Sequence, residues 1–234
     1  MVIRSGGNRI YMGGVLLAPI WRRLSIAPDT FTGFRGLEVQ TVANANVLEL
    51  KITLVESEAP IWRRVLVPES LTLANLHLVI QIAMGWTNSH LHVFEVGGER
   101  FTEFEEDIRD GARDSTTVTL RDLSLNREGQ VFAYNYDFGD EWLHEVTVES
   151  CRPSEDPAML PVCVTGSRAG PPEDSGGVHR YRHLLEAVAD PTHPDHDELS
   201  GWLNPEFDPE AFEADRVNRE LRRVFSQGDG LPVN

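Results

Sequence analysis

The chain has 234 residues, 41% of them hydrophobic and 25% charged. That is an ordinary globular composition, long enough for one large or two small domains. The formal net charge of −16 opposes phosphate backbones, because nonspecific nucleic-acid affinity comes from Lys and Arg displacing counterions. Direct nucleic-acid binding is therefore not expected; the short basic set Arg219, Arg222 and Arg223 falls on one predicted helix and reads as a solvated face or a dipole partner near the helix end. The apolar run GVLLAPIW is too short to span a bilayer and contains Pro19. Two cysteines, Cys151 and Cys163, do not make a disulfide scaffold, and no secretory signal precedes them. The expectation is a soluble, cytoplasmic protein with no membrane association.

Residues 1 to 45 are glycine-rich and weakly periodic, and read as a weakly ordered extension. They contain APIWRR at Ala18–Arg23, which recurs at Ala59–Arg64 and suggests a partial duplication or an upstream start before the real domain. The domain proper is expected over residues 46–225, followed by a flexible tail, 226–234. In VLELKITLVE, Leu48, Leu50, Ile52 and Leu54 alternate onto one face of a strand. IWRRVLVP is a second strand ended by Pro68, and ESEAP between the two favours antiparallel pairing.

PESLTLANLHLVIQIAMGW predicts a helix capped by Ser70 or Thr72. Leu73, Leu76, Ile80 and Ala83 form its core stripe, Gly85 stops it, and His77 beside the stripe is a partly buried structural histidine. SHLHVFEVGGERF reads as a strand, a Gly-Gly turn and a return strand. EFEEDIRDGARDS reads as an exposed loop, and TVTLRDLSLNREGQ as a short helix ending near Gly129. VFAYNYDFGDEWLHEVTVES is a hairpin turning around Gly139-Asp140, with Trp142, His144, Val146 and Val148 on one face. The last third is helical and punctuated by prolines, and Asp208 before Pro209 is a helix-start signal. Strands first and helices later predict an α+β fold.

These segments carry a family likeness. PIWRRVLVP, LHLVIQIAMGW with SHLHVFEV, YDFGDEWLHEV, PPEDSGG and HPDHDELSGWL…FDPEAF occur in that order over about residues 46 to 225. Together they resemble the plasmid pRiA4b ORF-3-like family, also known as the passenger "TnpR" protein of the IS1096 mobile element. The resemblance implies a single α+β domain with a curved, mixed or antiparallel sheet packed by helices, and no established activity. A resolvase, as the TnpR label suggests, needs a nucleophilic serine among arginines and a DNA-binding module, neither of which is recognisable here. Relatives carry cysteines where this chain has Gly170 and Ser175, beside one matching Cys163. If that is a zinc knuckle in relatives, one thiolate cannot hold the ion alone here.

Chemistry could reside in several places. YDFGDEWLH gathers Asp137, Asp140, Glu141 and His144, which could bind a divalent metal or do acid–base work, or could simply build a turn. SHLH places His90 and His92 on one face of a strand, and His144 on a neighbouring strand would complete three metal ligands. Glu173 and Asp174, between Pro171-Pro172 and Gly176-Gly177, are either an anion- or metal-contacting loop or a rigid turn whose acids cap the next helix. His193 and His196 read as a solvated helix start, and Trp62, Trp86, Trp142 and Trp202 as core or groove wall.

The reading these features favour is a noncatalytic module for a small-molecule ligand or partner protein. Its cleft would lie between the sheet and the C-terminal helices, lined by Trp86, His92, Asp137, Asp140, Trp142, His144, Glu173 and Asp174. The alternative is a metal-dependent hydrolase drawing on His90, His92, His144 or Cys163 and on Asp137, Asp140, Glu173 or Asp174, which requires three of them to converge. A third reading, an accessory protein of a mobile element with a transposase-like partner, rests on family naming alone.

Overall fold

The structure is a computed structural model that describes residues 2–5, 8–11, 46–154 and 159–225. The first part of the chain forms a unit of its own. Within it, β1 (Val2–Ser5) and β2 (Asn8–Tyr11) pair antiparallel. The first APIWRR copy and the tail 226–234 lie outside the described residues, as does most of the extension expected to be weakly ordered.

The second unit, Ala45–Asn234, is built on one eight-stranded sheet. Its strands are β3 (Asn46–Leu54), β4 (Trp62–Pro68), β5 (His92–Val96), β6 (Glu99–Thr102), β7 (Arg113–Asp114), β8 (Val131–Tyr136), β9 (Trp142–Pro153) and β10 (Val162–Ser167). Their spatial order is β10-β4-β3-β9-β8-β5-β6-β7, antiparallel throughout except for the parallel β6–β7 edge. The described helices are α1 (Leu73–Met84), α2 (Glu105–Arg109), α3 (Gly177–Ala189), α4 (His196–Trp202) and α5 (Ala214–Phe225). The fold is α+β with a mixed sheet.

Period-two alternation explains the inner face. Leu48, Leu50, Ile52 and Leu54 are all buried, and so are Trp142, His144, Val146 and Val148. Register aligns these residues into rows that cross the sheet. One runs Leu54, His144, Tyr134, Phe94, Phe101, and the next pairs Trp142 with Tyr136 and Tyr136 with His92. Helix α1 supplies Leu73, Leu76, Ile80 and Ala83 to the same core. Thr72 accepts from the Asn75 amide at its start, and Gly85 adopts φ 88° at its end. At the β5–β6 turn both glycines take positive φ, Gly97 at 60° and Gly98 at 85°, as a tight hairpin requires.

Three local expectations are corrected. TVTLRDLSLNREGQ forms turns rather than a helix, because Asp122 bonds the Thr119 amide and hydroxyl locally. EFEEDIRDGARDS contains the short helix α2 and the edge strand β7 instead of a plain loop. Asp208 accepts from the Glu210 amide in a turn, and the helix starts later, at Ala214. Among the tryptophans, Trp86 and Trp142 are buried, but Trp202 is 49% exposed and walls no core.

Candidate functional site

The two histidines of SHLH part company. The chain bends through His90, after Asn88 at φ 59°, and β5 begins only at His92. Alternation therefore does not apply across the pair. His92 turns into the core and stacks on His77, with ring centroids 3.5 Å apart and planes 6° from parallel. His144 is equally interior, its Nδ1 donating to the Trp142 carbonyl. The expected cleft lined by Trp86, His92, Trp142 and His144 is thus core: α1 covers this face, and the four residues are at most 7% exposed. Nor do His92, His144 and Cys163 join His90 at a metal site. Cys163 lies in β10, where its amide and carbonyl both bond Asn218, and burial pushes its thiol up to about 11.

The interior histidines have a defined chemistry. Burial holds His77 and His144 down at about 4, and burial plus the neighbouring His77 takes His92 to about 2. All three are neutral near pH 7. The Asn88 Oδ1 is an acceptor, so His77 Nε2 carries the proton and donates to it at 2.7 Å. His77 Nδ1 then accepts from the Tyr134 hydroxyl at 2.8 Å, whose oxygen accepts from the Gln81 amide. Both nitrogens of His92 lack a hydrogen-bond partner, as does Nε2 of His144.

A different set of residues converges at the surface. YDFGDEW and PPEDSGG, distant in sequence, meet in space. The Asp140 carboxylate accepts from the Gly176 amide at the start of α3, complementing the positive end of that helix. A Cβ at Gly177 would stand 2.4 Å from the Asp140 carbonyl oxygen, and one at Gly170 would stand 2.2 Å from that of Met84. Glycine at these positions is what permits the loop's close docking. Neither Glu173 nor Asp174 caps α3; the cap comes from Asp140.

Glu173 instead ties the loop to the residues after α1. It accepts from the Thr87 amide and hydroxyl and from the Tyr136 hydroxyl, each at 2.9 Å. Partial burial works against ionisation, yet these hydrogen bonds hold its carboxyl below the usual range. Tyr136 stacks on Trp86, whose indole donates to the Pro171 carbonyl. Burial, and after it the Glu173 bond, keep the Tyr136 phenol protonated far above neutrality.

On this frame His90, Asp137 and Asp174 approach one another. His90 Nε2 is 3.2 Å from Asp174 Oδ1 and 3.6 Å from Asp137 Oδ2, and the three ligand atoms lie within 4.8 Å of one another. Asp137 Oδ1 is engaged by the Gly139 and Asp140 amides. Both aspartates hold positive φ, 58° and 59°. Beside them opens a cleft of about 480 Å³, walled by residues 88–91, 103–104 and 137–139. Its rim mixes the polar His90, Glu103 and Asp137 with Leu91, Phe104 and Phe138; Leu91 and Phe138 are exposed apolar side chains.

Of the residues required for the hydrolase alternative, the structure brings together His90, Asp137 and Asp174, while Asp140 and Glu173 serve as cap and anchor. Sequence reasoning missed Glu103 and the rim residues Leu91, Phe104 and Phe138, which carried no signal beyond being apolar or acidic in loops. A second His–Asp group, His183, His193 and Asp195, lies between α3 and α4. His193 and His196, expected at a solvated helix start, lie there with His196 bonded to the Ala187 carbonyl.

Fold and site together define a small α+β domain with an acidic, aromatic-rimmed cleft beside the sheet. The chain belongs to the Plasmid pRiA4b ORF-3-like protein family, which matches residues 46–216. An uncharacterized protein, y4hQ, of Sinorhizobium fredii (strain NBRC 101917 / NGR234) is 38% identical over 181 residues, 76% of this chain and 91% of the relative. The crystal structure of a protein of unknown function, MM3350, from Methanosarcina mazei Go1 aligns with TM-score 0.67 and 34% identity, covering 73% of this chain and 97% of that one. Neither description names an activity. Among the described residues, no helix is long and apolar enough to cross a membrane.

Proposed function

We propose that the domain is a noncatalytic binding module whose ligand enters the cleft between residues 88–91, 103–104 and 137–139. The observation that carries this reading is the convergence of His90, Asp137 and Asp174 at the mouth of a cleft of ligand size, framed by exposed apolar side chains. Carboxylates from Glu103, Asp137 and Asp174 give the mouth negative character, so the ligand presents a cationic head to them and an apolar body to Leu91, Phe104 and Phe138. A small molecule or a basic side chain of a partner protein meets that description. A polyphosphate does not, given the net charge of −16. A cytoplasmic setting is part of the same proposal, supported by two free cysteines.

The test is chemical-shift mapping of the ¹⁵N-labelled full chain with benzamidine and phenethylamine as probes, repeated with Phe138→Ala. Saturable shifts on the amides of Ser89, His90, Phe104 and Gly139, weakened by the variant, are expected. Shifts scattered over the surface, or none at millimolar probe, would refute the cleft as a binding site.

A further inference from the structure

We infer that His90, Asp137 and Asp174 form a binding site for a divalent first-row transition-metal ion, open on one side to the cleft. The inference rests on the cleft being the working site and identifies the cation held at its mouth.

Three observations support it. The first is spacing. Metal–nitrogen and metal–oxygen bonds of about 2.1 Å place neighbouring ligand atoms about 3.0 to 3.4 Å apart in octahedral or tetrahedral geometry. The Nε2–Oδ distances here are 3.2 and 3.6 Å, so two of the three edges already match; all three atoms lie within 4.8 Å of one another, and the exposed Asp174 side chain can rotate to close the third.

The second is an unmet bond. His90 Nε2 is shielded from water and makes no aligned hydrogen bond, although two carboxylate oxygens face it. The Asp137 side chain is only 11% exposed, and its two amide bonds use Oδ1, leaving Oδ2 facing His90. A buried imidazole nitrogen that faces a carboxylate oxygen without hydrogen-bonding to it lacks a partner. A cation between them supplies it.

The third is positioning. Asp137 is fixed by its turn. His90 is held between the Tyr136 ring, 5.8 Å away edge-on, and the two carboxylates. Asp174 follows Glu173, which three hydrogen bonds anchor. One imidazole and two carboxylates form a mixed nitrogen–oxygen donor set that suits manganese, iron or zinc better than a soft thiophilic ion. Three protein ligands from one side leave the remaining coordination positions facing the cleft.

The His183–His193–Asp195 group provides the contrast. There His183 Nε2 already bonds Asp195 Oδ2 at 3.0 Å and His193 Nδ1 accepts from the Asp195 amide, so its donors are satisfied without an ion.

The experiment uses the full chain stripped with chelator, then loaded with Mn²⁺ or Zn²⁺, reading stoichiometry by elemental mass spectrometry and affinity by calorimetry. His90→Ala, Asp174→Asn and, as a control at the other group, Asp195→Asn are measured alongside. Asp174 is 75% exposed at its side chain, so Asp174→Asn leaves folding intact and keeps the test decisive should His90→Ala misfold. One equivalent per chain is expected, lost in His90→Ala, weakened at least about tenfold in Asp174→Asn and unchanged in Asp195→Asn. No binding at millimolar metal overturns the site, as does binding that survives His90→Ala or disappears with Asp195→Asn. If metal fails to bind while benzamidine still shifts the cleft amides, the metal site falls and the cleft reading stands. Stoichiometric metal without benzamidine shifts gives the reverse.

Discussion

His90 and His92 are two residues apart and occupy two different chemistries. His92 is fully buried in a sheet row, stacked on His77, with neither nitrogen bonded. His90 stands at a cleft mouth between two aspartates. The interior set, His77, His92 and His144, is held neutral by desolvation and acts as aromatic filling with a few internal hydrogen bonds. The rim set faces charge and open volume. The same side chain is packing in one place and a candidate ligand in the other, and the bend at His90 makes the difference.

The sharpest way to break this contrast is acid. The native interior rings bind protons only near pH 4 or below, whereas an unfolded histidine does so near 6.5. Their contribution is fully present above about pH 6.5. It is lost as pH falls toward 4, because only the unfolded chain takes up the protons. The loss is on the order of 3 kcal/mol for His77 and again for His144. Urea unfolding at pH 7.5, 6 and 5 should show a falling midpoint; a flat profile would mean the rings are hydrated.

Gly177→Ala tests the meeting of the two motifs. The new Cβ would clash with the Asp140 carbonyl at a residue held at φ 77°, so a loss of roughly 2 kcal/mol is expected in thermal melts. An unchanged melting temperature would show that the loop and hairpin do not dock this closely.

Two phenylalanine substitutions then separate the interior rings from each other. His77→Phe removes the partner of the Tyr134 hydroxyl and of the Asn88 side chain, and should cost about 1–3 kcal/mol. His92→Phe replaces a ring with no hydrogen bonds by an apolar one among Phe94, Phe104 and Tyr134, and should be neutral within about 1 kcal/mol while reducing acid sensitivity. Equal losses would refute the hydrogen-bond assignment.

The smallest effect belongs to the rim. Asp174→Asn should change stability by less than about 0.5 kcal/mol, since the side chain is mostly exposed, and yet weaken metal binding. A large loss of stability would move Asp174 from ligand to structural prop.

Much of this was legible beforehand. Alternation placed Leu48, Leu50, Ile52 and Leu54, and Trp142 through Val148, on buried faces. A cap at Ser70 or Thr72, the Gly85 stop and the Gly97-Gly98 turn follow from local chemistry alone, and the structure selects Thr72. The misreadings fall where local bonds compete with periodicity, as at Thr119–Asp122, or where a bend interrupts it, as at His90. The interior fate of His92 and His144 was not legible, because a histidine alternating with hydrophobic residues fits a wet groove as well as a dry core. Only the cover supplied by α1 decides between them.

The sequence by itself determined the long strands β3, β4, β8 and β9 with their inward faces, helix α1 with its start and stop, and the β5–β6 turn, because these depend on contacts within a few residues. Tertiary structure decided that Asp140 caps a helix 36 residues away, that Glu173 reaches Thr87 and Tyr136, and that Asp174 meets His90. Those contacts depend on strand order and on loops docking through glycine backbones, and no local pattern of side chains encodes which distant partner a loop will meet.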